Sequence, residues 1–162
     1  MLVNNVGVFV NSPVDEVAPD EVALAHLWQV NTWGVAQAVR AAVPHLPAGG
    51  RITSIGSGSN IRTPFAGASD YAATKGALAA YTRGWARDLA PRNITVNIIQ
   101  PGTIETDLTP TDPTVLATLL FPLALGRLGT AQEVGQVVAF LASEAASYIT
   151  GATLNADGGW SI

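Results

Sequence analysis

One run of six residues, Ile94-Thr-Val-Asn-Ile-Ile99, limits this chain more than any other stretch. It is nearly continuously apolar, rich in β-branched side chains, and bounded by Pro91 before it and Pro101-Gly102 after it. A strand with one wet face alternates apolar and polar residues, whereas a strand that is apolar throughout is buried on both faces. That is the situation inside a parallel sheet covered by helices. The run therefore calls for parallel neighbours and for crossover helices above and below it.

The rest of the chain supplies them in order. Leu2 and Val3 lead into Asn4-Asn5-Val6-Gly7, a short buried strand followed by a turn. Pro13, Pro19 and several acids mark a loop, with a helix start near Asp20. From Val22 to Val43 the apolar residues Val22, Ala25, Trp28, Val35, Val39 and Val43 fall largely at helical spacing, and Asn31 sits in the middle. Pro44, Pro47, Gly49 and Gly50 end that helix, and Arg51 to Ile55 forms the next strand. A Gly/Ser-rich loop spans residues 56 to 68. Residues 69 to 90 read as a second long helix with a small face, Ala72, Ala73, Gly76, Ala77 and Ala80, which permits close approach of another backbone. Residues 103 to 126, with three prolines and several threonines, have the character of a mobile lid, flanked by Glu105 and Asp107 as expected caps of its helix. Thr130 caps a third helix through Leu141, and Ala152 to Asn155 gives a last strand before Asp157-Gly158-Gly159.

Strand, helix, strand, helix, strand, lid, helix, strand is the pattern of an α/β fold with a parallel sheet and right-handed crossovers. Such sheets place their sites at the carboxyl ends of the strands. Asn5, Ser57 and Pro101-Gly102 all follow strands directly and should converge on one edge.

At 162 residues the chain has the length of one domain. A net charge of −4 with scattered Lys and Arg offers no basic footprint for nucleic acid. No apolar run approaches the roughly 18 residues of a membrane span. The absence of cysteine removes disulfides and thiolate chemistry and fits a cytoplasmic protein. His26 and His45 have no partner pattern that suggests a metal site, so no metal is expected.

Tyr71 and Lys75 carry the chemistry. Four apart on a helix, their side chains share one face. An ammonium beside a phenol favours the phenolate and should pull Tyr71 below the usual value of about 10. A hydroxyl from Ser57 would hold a carbonyl or alcohol oxygen for Tyr71 to protonate or deprotonate. Each residue also has a plainer reading. A Tyr/Lys pair is commonly an exposed helix turn, Ser57 lies among Ser54 and Ser59 as a possible turn former, Asn31 could bridge a kink, and Asn4-Asn5 could tie strands together. Trp28, Trp33 and Trp85 read as core or subunit-contact residues, while Trp160 is within reach of the substrate mouth.

In joint order these segments resemble the short-chain dehydrogenase/reductase family, nearest in general look to 3-oxoacyl-carrier-protein reductases. The matching segments are Asn4-Asn5-Val6-Gly7, Asn31, Ile55-Gly56-Ser57, Tyr71-Ala-Ala-Thr-Lys75, Asn93 to Asn97 with Gln100-Pro101-Gly102, Ile104 to Asp107, and Tyr148-Ile-Thr-Gly151 with Asp157-Gly158-Gly159. The loop Pro64-Phe65-Ala66-Gly67 is similar to the subgroup containing cyclic-di-GMP-binding biofilm-dispersal oxidoreductases. The resemblance implies a Rossmann-like parallel sheet and hydride transfer between NADP or NAD and a small carbonyl/alcohol substrate. It implies Tyr71 as general acid/base, Ser57 orienting the substrate, Lys75 holding the nicotinamide ribose, and Asn31 anchoring a relay water. Asn5 and Gly7 would line the adenosine side, and Pro101, Gly102, Ile104 and Thr106 the nicotinamide half. It also implies a homo-oligomer, a dimer or tetramer paired through the two long helices.

Family members begin with a strand and a Gly-rich turn that cradles the pyrophosphate. The chain opens instead on what resembles a later strand, so the expectation is the C-terminal portion of the fold as one truncated domain over residues 1–162, with about four strands, three main helices and a lid over 103–126. A truncated gene product, a mis-called start or a fragment would each produce it, and the first strand should become an exposed apolar edge. The rival readings are a nucleotide-binding regulatory module for a ligand such as cyclic di-GMP, and an inactive fragment.

Overall fold

A computed structural model describes residues 1–63, 65–107 and 109–162; Pro64, which belongs to the loop singled out above, lies outside the described residues. Four parallel strands form the sheet in the order β1-β2-β3-β6: β1 (Leu2–Asn4), β2 (Arg51–Ile55), β3 (Thr95–Pro101) and β6 (Thr153–Ala156). A separate short pair joins β4 (Ile104–Glu105) to β5 (Gly129–Thr130), also parallel. Helices cover both faces, giving the Rossmann-like α/β architecture that the alternating pattern predicts. On one face lie α1 (Glu21–Trp28), α2 (Val35–Ala42) and α3 (Ser69–Leu89); on the other lies α5 (Ala131–Ala142). The short α4 (Pro113–Leu120) stands in the expected lid segment.

β3 lies inside this sheet, between β2 and β6. Every residue of β3 is buried. Val96 packs with Val39, Ile52 and Leu89 on the α2/α3 face, and Ile99 packs with Leu141 and Ala146 under α5. Burying side chains such as these contributes roughly 1.5–3 kcal/mol each. β1, by contrast, is an edge, with Val3 40 % exposed, as the sequence leads one to expect.

Local chemistry explains most boundaries. Asp20 caps α1 by accepting from the Ala23 N–H at 2.9 Å. Thr130 and Glu133 form a reciprocal capping box on α5. The cap of the lid helix is a correction: Asp112, not Glu105 or Asp107, accepts from the N–H groups of Thr114 and Val115. Pro113 at the first helical position makes the preceding residue the natural cap. Between α1 and α2 the backbone makes a wide π-helical turn, Gln29–Gly34, with Asn31 inside it. Such turns are rare and frequent at functional sites.

Asn97 is a polar residue fully buried inside β3. Its amide donates to the Ile149 carbonyl at 2.8 Å and accepts from the Ala152 N–H at 3.1 Å. Thr150 accepts from the Val96 N–H, and the Gly151 N–H, at a left-handed φ of 70°, reaches the Val96 carbonyl at 2.7 Å. The strand thus anchors the turn that delivers β6. Asn97→Ala leaves two partly buried backbone groups unpaired and should cost on the order of 2 kcal/mol. Urea unfolding measures it, and an unchanged midpoint would show that solvent replaces both bonds.

Candidate active site

At the carboxyl ends of β1, β2 and β3 a cleft of roughly 690 Å³ opens. Asn5 and Gly7 line it from the turn after β1, Ser57 from the turn after β2, Pro101 and Gly102 from the end of β3, and Tyr71 and Lys75 from the first turns of α3. Seven residues singled out in the sequence thus meet in one place. They meet because each follows a parallel strand, or stands at the helix N-terminus that the crossover brings back to that edge.

The lysine is buried, and its ammonium donates to the Ile55 carbonyl at 3.1 Å. It stands 5.8 Å from the centre of the Tyr71 ring. Gly7 has no side chain at the point where these groups crowd. A Cβ there would come within 3.1 Å of Lys75 Nζ and 3.4 Å of Asn31 Oδ1. Phe9 meets the Tyr71 ring edge-on with centroids 5.0 Å apart, forming an aromatic wall over the phenol.

The electrostatics differ from the sequence expectation. Among the chain's own groups, burial raises the pKa of the Tyr71 phenol, while a hydrogen bond from Ser57 pulls it down. Burial depresses the Lys75 ammonium to about 8. Desolvation penalises whichever form carries charge, so both side chains are pushed toward neutrality. The expected depression of Tyr71 by Lys75 is not the dominant effect, because the ammonium is directed to a backbone carbonyl and to the ring.

Asn31 lies behind the cleft, fully buried. Its side chain accepts from the Val8 N–H at 2.8 Å and donates to the Val8 carbonyl at 2.9 Å and to Thr74 Oγ1 at 3.2 Å. Thr74 in turn donates to the Tyr71 carbonyl at 2.7 Å. The asparagine therefore ties the turn after β1 to the helix that carries Tyr71 and Lys75. Asn4 donates to Ser54 Oγ across β1 and β2 at 3.1 Å, the strand-tying alternative for that residue.

Two expected residues stand apart. Ile104 lines a neighbouring cavity of roughly 540 Å³ with Leu125, Glu133 and Asp157. Thr106 is exposed and lies in a local turn, its N–H donating to Thr109 Oγ1 at 2.8 Å. Trp160, only 4 % exposed, packs against Gly58 and Phe65 and donates to the Arg62 carbonyl rather than facing an open mouth. Trp28 and Trp33 are exposed rather than core. Val8 and Phe9 were not singled out in the sequence, and Thr74 and Gln100 stood in matched segments with no role of their own. Thr74 lies at helical spacing from Tyr71, and Gln100 is a polar residue closing an apolar strand; those were the available signals.

No group of three or more potential metal ligands occurs among the described residues, and no helix there is long and apolar enough to cross a membrane.

The parallel sheet, with Ser57, Tyr71 and Lys75 gathered at its strand ends, has the layout of a Rossmann-like α/β protein, and a family model described as "Enoyl-(Acyl carrier protein) reductase" matches residues 1–161. The chain belongs to the short-chain dehydrogenase/reductase family. It is 40 % identical over 158 residues to the cyclic-di-GMP-binding biofilm dispersal mediator protein of Escherichia coli, covering 98 % of this chain and 66 % of that one. It is 48 % identical over 111 residues to the 3-oxoacyl-(acyl-carrier-protein) reductase of Salmonella typhimurium, covering 68 % of this chain and 45 % of that one. A short-chain dehydrogenase of Burkholderia cenocepacia, solved in complex with NADP, superposes with a TM-score of 0.92 at 40 % identity, covering 99 % of this chain and 65 % of that one. The chain thus spans about two thirds or less of the length of these proteins.

The Lys75 shift sets a pH signature. An ammonium held at about 8 when folded, against 10.5 unfolded, destabilises the fold below pH 8 by on the order of 3 kcal/mol. Between those values the unfolded chain binds more protons, so stability rises with pH and the penalty disappears. Lys75→Met removes this dependence. The melting temperature of wild type should therefore climb toward that of the variant from pH 8 to about 10; parallel curves would refute the shift.

Proposed function

We propose that the chain carries the catalytic half of an NAD(P)-dependent reductase acting on a small carbonyl compound, with Tyr71 as general acid/base. The observation that supports this most directly is the single cleft joining Tyr71, Lys75 and Ser57 to the glycine-floored turn at Gly7. The residues present fit the nicotinamide-ribose half of the cofactor. Gly7 leaves the floor open beside Lys75, whose ammonium retains donor capacity for ribose hydroxyls beyond its bond to Ile55. Asn5 would border the adenosine side, and Pro101 and Gly102, with Ile104 and Thr106 following on the same segment, would border the nicotinamide. When bound, the cofactor supplies the hydride.

The protein's part is to place and protonate the substrate oxygen. Ser57 Oγ accepts from the Ser59 N–H at 3.2 Å, which leaves its own hydrogen to donate to that oxygen or to Tyr71. Burial keeps the Tyr71 phenol protonated at neutral pH, the state that gives its proton to the oxygen of a carbonyl as it becomes an alcohol. The phenolate left behind is stabilised by Ser57 and by the positive end of Lys75. Because the Asn31 side chain is committed to Val8 and Thr74, Asn31 would hold a relay water through its main chain at the π-helical turn.

Tyr71→Phe keeps the ring against Phe9 and removes the proton. Reduction of a panel of ketones and 3-oxoacyl thioesters, followed by loss of NADPH absorbance, should fall on the order of 100-fold or more in kcat. A variant that keeps its rate would overturn the assignment.

A second reading is favoured by the 40 % identity to a protein whose name records cyclic-di-GMP binding. On that reading the same cleft serves a regulatory nucleotide. Calorimetry with NADPH and with cyclic di-GMP separates the two: the enzyme must take up the first, and binding of the second alone would favour the sensor.

A further inference from the structure

Gln100 closes β3 as its last residue before Pro101 and is fully buried on the strand face that packs against α3, the face of Val96 and Ile98. Its side chain does something the ladder cannot. The final backbone bond between β2 and β3 runs from the Gly56 N–H to the Ile99 carbonyl at 2.7 Å. One residue further on, the Ser57 N–H finds no strand carbonyl and donates instead to Gln100 Oε1 at 2.6 Å. Because Ser57 offers a hydrogen, the amide must present its oxygen there, which fixes the orientation of the whole group. The other end, Nε2, is then a buried donor with no partner among the described residues.

The neighbouring glycine is shaped to this amide. A Cβ on Gly56 would fall 2.4 Å from Gln100 Oε1 and 2.9 Å from Ile98 Cδ1. Gly56 therefore lets the Gln100 amide rise to the backbone of Ser57. Beyond it the Ser57 carbonyl accepts from the Asn60 N–H at 3.3 Å, and Ser57 Oγ caps Ser59. The serine is thus held on one side by a buried side chain and on the other by its own turn.

From this geometry we infer that Gln100 is a positioning residue for Ser57, using its amide oxygen to hold the serine backbone so that the hydroxyl is delivered to the oxygen of Tyr71 and of the substrate. The inference rests on the reductase reading above only for the word substrate. The bond from the Ser57 N–H to Gln100 exists whether or not the chain turns over. A purely structural amide would be better replaced by an apolar side chain, since its Nε2 is buried without a partner. What the amide contributes at this position is its oxygen, held on the Ser57 N–H.

The test separates the two levels. Tyrosine labelled at the ring carbon bearing the hydroxyl reports the titration of Tyr71 directly by NMR, with Lys75 as the charged group facing it. Three variants are compared with wild type: Gln100→Leu, which loses the acceptor, Gln100→Glu, which keeps an oxygen in the same place, and Ser57→Ala. The hydrogen bond from Ser57 lowers the Tyr71 pKa, so Gln100→Leu should move the titration to higher pH in the direction of Ser57→Ala. Gln100→Glu should stay nearer wild type. Adding Gln100→Leu to Ser57→Ala should produce no further shift, because one acts through the other. In wild type the Ser57 amide should exchange slowly with solvent, a measurement that needs no variant to fold. An unmoved Tyr71 titration in Gln100→Leu, an additive double variant, or rapid exchange of the Ser57 amide would each overturn the inference. If the chain reduces ketones, the same series should show kcat about 10- to 100-fold lower for Gln100→Leu with the KM for NADPH unchanged, and largely restored in Gln100→Glu. If the titrations behave as expected and no ketone is reduced, it is the reductase reading that fails, and the positioning role stands.

Discussion

A parallel ladder must end somewhere, and where it ends each strand presents backbone N–H and C=O groups that have lost their partners. Buried groups of this kind have to be satisfied. In this protein that single requirement organises the cleft. The Ile55 carbonyl receives Lys75, the Ser57 N–H is taken by Gln100, and both polar groups of Val8 are taken by Asn31. Pro101 brings no N–H of its own, so the ladder between β2 and β3 stops where the serine begins. The side chains that finish the hydrogen bonding of the sheet are the ones that surround the chemistry.

Finishing a sheet with a lysine has an electrostatic result. The ammonium is drawn out of water to reach Ile55 and loses part of its hold on its proton, while Tyr71 beside it is held neutral by the same burial. Each group is thereby closer to its uncharged form than it would be in solvent. A negative charge arriving on the phenol oxygen would meet a cation 5.8 Å from the ring centre and a serine hydrogen bond. The cleft therefore offers a negative phenol oxygen more stabilisation than its own burial would suggest.

Much of this was legible in the sequence because it rides on periodicity and punctuation. The apolar run ending at Pro101 revealed the central strand, and the four-residue spacing of Tyr71 and Lys75 revealed a shared helix face. Parallel topology then brought Asn5, Gly7, Ser57 and Gly102 to the same edge. What was not legible depends on contacts that no spacing encodes. The π-helical turn around Asn31 has no signature in an apolar pattern with a period of 3.6. The bonds from the Asn31 side chain to Val8 and Thr74 likewise have no trace in the spacing. Gln100 is a single polar letter at the end of a strand, and its meaning depends on Gly56 lying above it. The pairing of the Ile104 strand with β5, which sets its side chain in the neighbouring cavity, is another contact that no spacing encodes.

The short pairing of β4 with β5 has one more consequence. The Gly129 N–H bonds to the Thr103 carbonyl at 3.0 Å, and Ile104 lies opposite Gly129, so the chain leaves the sheet and returns to it at almost the same point. The excursion that includes α4 is closed at its neck before any of its interior matters. For a flexible closed loop, doubling the length adds only about 0.6 kcal/mol of closure entropy. Such a cassette can be lengthened, shortened or exchanged at little expense to the scaffold beneath it. New molecular preferences could therefore be grafted between Glu105 and Gly129 while the cleft of Ser57, Tyr71 and Lys75 keeps its geometry.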